Sequence, residues 1–237
     1  MTILETQHDR LHSRYGGPAE PLLPPLTEAE LNEVLRTQLN HASVRAFTAA
    51  PVPDAMVGSL VAAAQSASTS SNLQAWSVVV VRDPERKDRL ATLAGDQDFI
   101  RQAPLFLVWL VDLARIDQIA AARGRRIDGA DYLESALLGF IDVALAAQNA
   151  MLAAESLGLG GVFVGAVRNH PEDFAAELNL PPRTFAAFGH AIGWPDPDQP
   201  STVKPRLPQA AVVHLEQYAP DAQTAAVTDY EERMASF

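Results

Sequence analysis

Between Ala136 and Ala154 the chain reads ALLGFIDVALAAQNAMLAA, nineteen residues almost without polar interruption. Few sequence features constrain a fold more. The length approaches the roughly 20 residues of a bilayer span. However, Asp142 sits inside the run, Gln148 and Asn149 follow, and Glu134 and Glu155 flank it where a membrane anchor would carry basic residues. A carboxylate at mid-bilayer is costly. The run therefore predicts a helix, from about Ala130 to Leu157, that is buried on nearly all sides within a protein or between subunits. Gly158 stops it.

Around this helix the pattern mixes helices and strands. Trp76–Val81 and Pro104–Val111 are short, valine- and leucine-rich runs that predict buried strands. Gly161–Gly165 and Thr184–Trp194 read as two more, and Val212–Tyr218 as a last one. Thr27-x-x-Glu30 is a capping box that opens a helix reaching about Leu39. Asp54 caps a second helix, and Asp83-Pro84-Glu85 supplies an N-cap, an N1 proline and an acidic first turn for a third, ending near Gly95. Pro171–Leu178 and residues 221–236 complete the helices. Residues 113–128 hold the main basic cluster, Arg115, Arg123, Arg125 and Arg126, in a segment expected to be mobile. The fold class is thus α+β or α/β, layered about one sheet. Residues 1–26 form an N-terminal arm, 27–220 one domain, and 221–237 a C-terminal helical extension.

Composition excludes several functions. The 237 residues carry a formal charge of −11, so phosphate backbones are repelled and nucleic acid is not an expected partner. With no cysteine there is no disulfide, thiolate metal site or cysteine nucleophile. The six histidines are scattered, and no metal site is expected. The N-terminus lacks a basic region followed by an apolar run, so a cytoplasmic location is the default.

Against this acidic average, a few polar clusters stand out. His41-x-Ser43-x-Arg45 places three polar groups on one face if extended, suited to phosphate or a flat heteroaromatic carbonyl. The same residues also suit the end of a helix. Ser68–Gln74 is a run of hydroxyls and amides that reads equally as an ordinary loop or as a polar collar. Gly158-Leu159-Gly160-Gly161 follows a helix and opens a strand, the reverse of a dinucleotide fingerprint. Gly165, beyond that strand, leaves backbone open to close approach by another molecule. Lys204-Pro205-Arg206 puts two cations on one side of a proline-stiffened loop, a phosphate clamp or a solvated pair.

Taken in order, these segments carry a family likeness. HASVRAFT (41–48), SSNLQAW (70–76), LAGDQ (93–97), DVALAAQNAMLAAESLGLGGVFVG (142–165), FGHAIGWP (188–195) and KPRLP (204–208) resemble the FMN-dependent nitroreductase family, and most closely its NADPH-dependent nitroreductase and flavin reductase branch. The resemblance implies a three-layer α-β-α sandwich with a central, mostly antiparallel sheet, in an intertwined homodimer with FMN at the subunit interface. It implies that His41, Ala42, Ser43 and Arg45 line the flavin, with Ala42 standing where a basic residue is common. Thr69, Ser70, Ser71 and Asn72 would reach in from the other subunit, and Gln97 would meet the pyrimidine edge. The backbone of Phe163, Val164, Gly165 and Ala166 would pass N5, and Lys204 and Arg206 would hold the phosphate.

The activity so implied is a ping-pong hydride transfer from NADPH or NADH to small planar acceptors: nitroaromatics, quinones or flavins. FMN carries the chemistry, so no acid–base side chain is expected. Relatives in this branch carry a basic C-terminal segment that helps hold the phosphate of NADPH. The sequence ends at Phe237 before one, which leaves the choice of donor open. It also leaves room for a second reading, a flavin-binding protein with little reductase turnover. A cofactor-free acidic interaction domain is a third.

Overall fold

The computed structural model describes residues 14, 15 and 27–236. They fall into two compact units: Ser43–Pro200, and the chain up to Ala42 together with the segment from Ser201 onward. Most of the expected N-terminal arm, with His8 and His12, lies outside the described residues.

The larger unit is organised on one four-stranded antiparallel sheet. Its strands are β1 (Trp76–Val81), β2 (Leu105–Asp112), β3 (Gly160–Val164) and β4 (Thr184–Gly193), in the order β1-β2-β4-β3. Strand β2 is central and buried along seven of its eight residues, which explains why it reads as a continuous apolar run rather than an alternation. Its side chains divide by parity. Leu105, Leu107, Trp109 and Val111 face one cluster, whereas Phe106, Val108 and Leu110 face the other.

Helices supply the rest of each cluster. Helix α2 (Asp54–Gln65) contributes Val57, Leu60 and Ala64 beside Leu107 and Trp109. The long apolar run forms α6 (Leu133–Ser156), whose Val143, Ala146, Ala147, Ala150 and Ala154 join the same cluster. Small residues on this face let the helix approach the sheet closely. At Gly139 a Cβ would come within 2.4 Å of the Val111 side chain. On the opposite face, α3 (Pro84–Leu93), α4 (Asp98–Gln102) and α7 (Pro171–Glu177) add Leu90, Ala91, Ile100 and Phe174.

Helix α6 is long and apolar enough to cross a membrane by length and composition. Its inner face is instead filled by the protein core. Its outer face carries Leu133, Leu137, Ile141 and Leu145, 74%, 48%, 59% and 44% exposed. Their spacing of four residues lines them along one side of the helix.

Several expectations are corrected. The helix expected from Thr27 to Leu39 is divided. The capping box forms, with Thr27 N donating to Glu30 Oε2 at 2.8 Å, but it closes only a 3-10 turn over Glu28–Glu30. Leu31 is extended, and Asn32 caps the true helix, α1 (Glu33–Leu39), by accepting from Leu35 N at 3.0 Å. Pro53, not Asp54, is the N-cap of α2; Asp54 lies in the first turn. The segment expected to be mobile contains α5 (Ala114–Ala121). No strand forms at Val212–Tyr218. Val212 ends the short helix α8 (Gln209–Val212), and left-handed Glu216 breaks the extended chain after it. Helix α9 (Pro220–Ser236) follows.

Candidate functional site

In the larger unit, Ser43 forms a parallel bridge with Gly161 at the start of β3, and Val44 N donates to Gly161 O at 3.0 Å. Thr48 N bonds Trp194 O and Asp196 N bonds Ala46 O, so residues 43–48 run extended beside the end of the sheet. The extended alternative for His41-x-Ser43-x-Arg45 therefore holds from Ser43 onward. Arg45 is exposed. The smaller glycines have a packing reason. A Cβ on Gly161 would come within 2.6 Å of His190 Nε2, so this glycine makes room for the fully buried His190 ring. That ring packs against Phe163, tilted by 34° with ring centroids 4.5 Å apart. Gly158, with φ of 81°, is the helix stop that the sequence indicated.

Gly165 opens a 3-10 turn, Gly165–Arg168, at the end of β3. It is exposed, and the nearest atoms an added Cβ would meet belong to the Arg168 guanidinium, the first at 3.2 Å. No sequence motif marks Arg168. Its Nη1 donates to Ala187 O, which tethers the cation beside the open backbone of Gly165.

Gln97 lies close to this turn. A Cβ on Gly95 would sit 3.7 Å from Asn169 Nδ2 and 3.7 Å from Gln97 Nε2, which joins the Gly95–Gln97 loop to the residue after Arg168. Arg101 braces that loop: its guanidinium donates to Asp88 at 2.6 Å, Asp96 at 2.5 Å, Asp98 at 2.9 Å and Thr92 at 3.1 Å. The carboxylates, Asp88 first and then Asp96 and Asp98, raise its pKa. Lys87, buried, donates to Arg101 O and Ala103 O at 3.1 and 2.6 Å, satisfying carbonyls at the end of α4. Desolvation pulls its pKa down.

Thr69, Ser70, Ser71 and Asn72 form a short turn ahead of β1, with Ser70–Asn72 exposed. Strand β1 is one edge of the sheet and β3 the other, with β2 and β4 between them. Three strand spacings amount to about 14 Å. Within one chain, the elements carrying the polar turn and the Gly165 turn are thus separated by the width of the sheet. Arg115 does not join a basic surface. It donates to Gln74 O, to Trp76 O at 2.9 Å and to Ser77 Oγ at 3.2 Å.

In the smaller unit, Arg14 is the organising residue. It is buried; its Nη2 donates to Leu39 O at 3.1 Å and His41 O at 2.7 Å, and its own carbonyl accepts from Arg206 N at 2.6 Å. It thereby brings the backbone of His41 and of Lys204-Pro205-Arg206 to one place. Arg206 Nη1 curls back to Lys204 O and Pro205 O at 3.3 and 3.2 Å, while Lys204 is exposed. Arg14, Tyr15, Leu39, Arg206 and Tyr230 are among the residues lining a cavity of about 630 Å³ in this unit. No motif marked Arg14, because its partners are backbone carbonyls. Among the described residues no cluster of three or more His, Asp or Glu side chains is placed to hold a metal.

The nitroreductase family model matches residues 39–194, the segment that holds the whole sheet and both turns. The chain belongs to the nitroreductase family. The C-terminal domain model of the same family matches residues 204–237. Among individual relatives, an NAD(P)H-dependent FMN reductase of Bacillus subtilis is 39% identical over 209 residues, 87% of this chain and 83% of its own. An oxygen-insensitive NADPH nitroreductase of Salmonella typhimurium is 40% identical over 197 residues, 83% and 79% of the two chains. The solved NADPH:FMN oxidoreductase of Vibrio harveyi, complexed with NAD+, superposes with a TM-score of 0.80 at 38% identity, covering 86% of each chain. The nitroreductase fold seen here is therefore shared with flavin-linked oxidoreductases along most of its length.

Proposed function

We propose that this nitroreductase is an FMN-dependent oxidoreductase that draws hydride from NADPH or NADH and passes it to small planar acceptors such as nitroaromatics, quinones or flavins. The observation that carries the reading is the Gly165 turn. Its backbone is exposed, with a tethered arginine as its nearest side chain, and flanked by the braced Gln97 loop. Such a turn suits a flat, electron-accepting ring: open amides in place of side chains, an amide side chain at one edge and a cation nearby. Cations gathered against the acidic average suit a phosphate.

Phe163, Val164, Gly165 and Ala166 would support the ring, with Gln97 and Arg45 along its pyrimidine edge. His41 and Ser43, with Ala42 between them, are assigned toward the phosphate and ribityl end, and Lys204 and Arg206 to the phosphate. Bound FMN would supply hydride acceptance and delivery, donor and acceptor taking turns in a ping-pong cycle. The chain's own part is to orient the ring and to favour its anionic reduced form with Arg45.

The reading includes a homodimer. Thr69, Ser70, Ser71 and Asn72 lie before the edge strand opposite β3, a sheet-width from the Gly165 turn, which supports a flavin shared between two chains. The Leu133, Leu137, Ile141, Leu145 stripe is an apolar face of the kind that pairing would cover. Each subunit would be a three-layer α-β-α sandwich, in a cytoplasmic enzyme.

Anaerobic spectroscopy tests the proposal. Purified protein is expected to be yellow or to take up FMN, to bleach on addition of NADPH or NADH, and to recolour with an acceptor. A colourless protein that takes up no FMN sinks the reading. A yellow protein that neither donor bleaches would instead be a flavin carrier with little turnover.

A further inference from the structure

The polar turn before β1 is built on unfavourable backbone. Ser71, Asn72 and Gln74 all have positive φ, at 49°, 56° and 50°. For residues with a Cβ this left-handed region costs on the order of 1 kcal/mol or more each. Such a turn persists only where its surroundings determine it. The determining group is Asp142, the one charge inside the apolar run of α6. It is fully buried, and its two carboxylate oxygens each accept one backbone amide: Oδ1 from Ser70 N at 2.9 Å, Oδ2 from Ala75 N at 3.1 Å. Ser70 and Ala75 bracket the three left-handed residues. A buried charge with apolar neighbours costs stability unless it is fully hydrogen-bonded. A core helix alone has no use for it.

We propose that Asp142 is a positioning residue for the cofactor: it fixes the strained Ser70–Gln74 turn in the shape that Thr69–Asn72 present to the flavin. This rests on the reading of those residues as flavin ligands. Arg115 closes the other side of the turn through Gln74 O and Trp76 O, so the segment is clamped from both flanks. Ile141, the neighbour of Asp142, points out of the core on the exposed stripe. One helix thus carries both the assembly face and the anchor of the turn.

The test compares the whole protein with Asp142→Asn, which keeps the shape but turns an NH₂ donor toward one of the two amide donors. Three readouts are used: FMN titration by flavin fluorescence, visible circular dichroism of the bound flavin, and hydrogen exchange of the Ser70 and Ala75 amides. The wild type is expected to protect both amides before FMN is added. The variant is expected to lose that protection, to bind FMN on the order of tenfold more weakly, and to show an altered flavin dichroism. Unaltered FMN affinity in a folded variant overturns the proposal while leaving the flavin reading intact. A wild type that binds no FMN removes both. Should the variant not fold, exchange in the wild type decides: unprotected Ser70 and Ala75 amides in the FMN-free protein overturn the proposal.

Discussion

At the residue scale, glycines separate what the fold requires from what the site requires. A Cβ on Gly189 would come within 2.4 Å of the fully buried Phe106 ring, in the middle of the sheet. Gly189→Ala is expected to destabilise the protein by about 1–3 kcal/mol, the usual cost of overpacking, read as a lower urea midpoint. Gly165→Ala would meet first the end of the Arg168 side chain, which can shift. Its stability is expected to be almost unchanged, yet FMN uptake should fall, because the methyl occupies the space proposed for the ring. Equal FMN uptake in wild type and Gly165→Ala would remove that turn from the site. The phosphate clamp is tested separately. Arg206→Ala and Lys204→Ala are each expected to weaken FMN retention by about 1.5–3 kcal/mol, as for loss of a charge-assisted hydrogen bond. Unchanged affinity in both would show that the clamp is misassigned.

At the scale of elements, most of the sheet was legible because burial writes itself into the sequence. Strand β1 begins and ends where its tryptophan and valines predict, and β2 and β4 differ from expectation by a residue at their ends. What was not legible depends on tertiary partners. Nothing local distinguishes Val212–Tyr218 from a strand, and Arg115 reads in the sequence as one of a basic cluster in a mobile segment, whereas its three acceptors on residues 74–77 tie it to the start of β1. The tie between α3 and α7 is of the same kind. Glu177 accepts from Arg89 at 2.9 and 3.0 Å and from Arg86 at 3.2 Å, and these guanidiniums, Arg89 first, hold its carboxyl below the usual range. A depressed folded value means that the stabilisation is complete above the ordinary carboxylate pKa of about 4.3 and is lost as the pH falls through the folded value. The Tm of the wild type should therefore exceed that of Glu177→Gln at neutral pH by at most about 2–3 °C, and the gap should close as the pH falls through the lowered carboxyl value. A gap that persists undiminished into acid would assign the effect to packing instead.

At the scale of the whole molecule, the sequence indicated that the Ala136–Ala154 run is buried on nearly all sides, yet within one chain α6 buries only its inner face. The residues left outside, Leu133, Leu137, Ile141 and Leu145, repeat every four positions. In a two-fold interface the same patch is used twice, so one charged substitution introduces two buried charges. Ile141→Glu is expected to convert a dimer into a monomer in sedimentation velocity at micromolar concentration. Val80→Glu, at an exposed position on edge strand β1, serves as a control that should leave assembly unchanged. If the flavin is held between subunits, the monomeric variant should also lose FMN in proportion to its loss of dimer. Raising the protein concentration should restore both together, because assembly and binding are then linked by mass action. A monomeric Ile141→Glu protein that keeps its FMN would place the whole site within one chain, and the polar turn at Ser70–Asn72, one sheet-width away, would need another occupant.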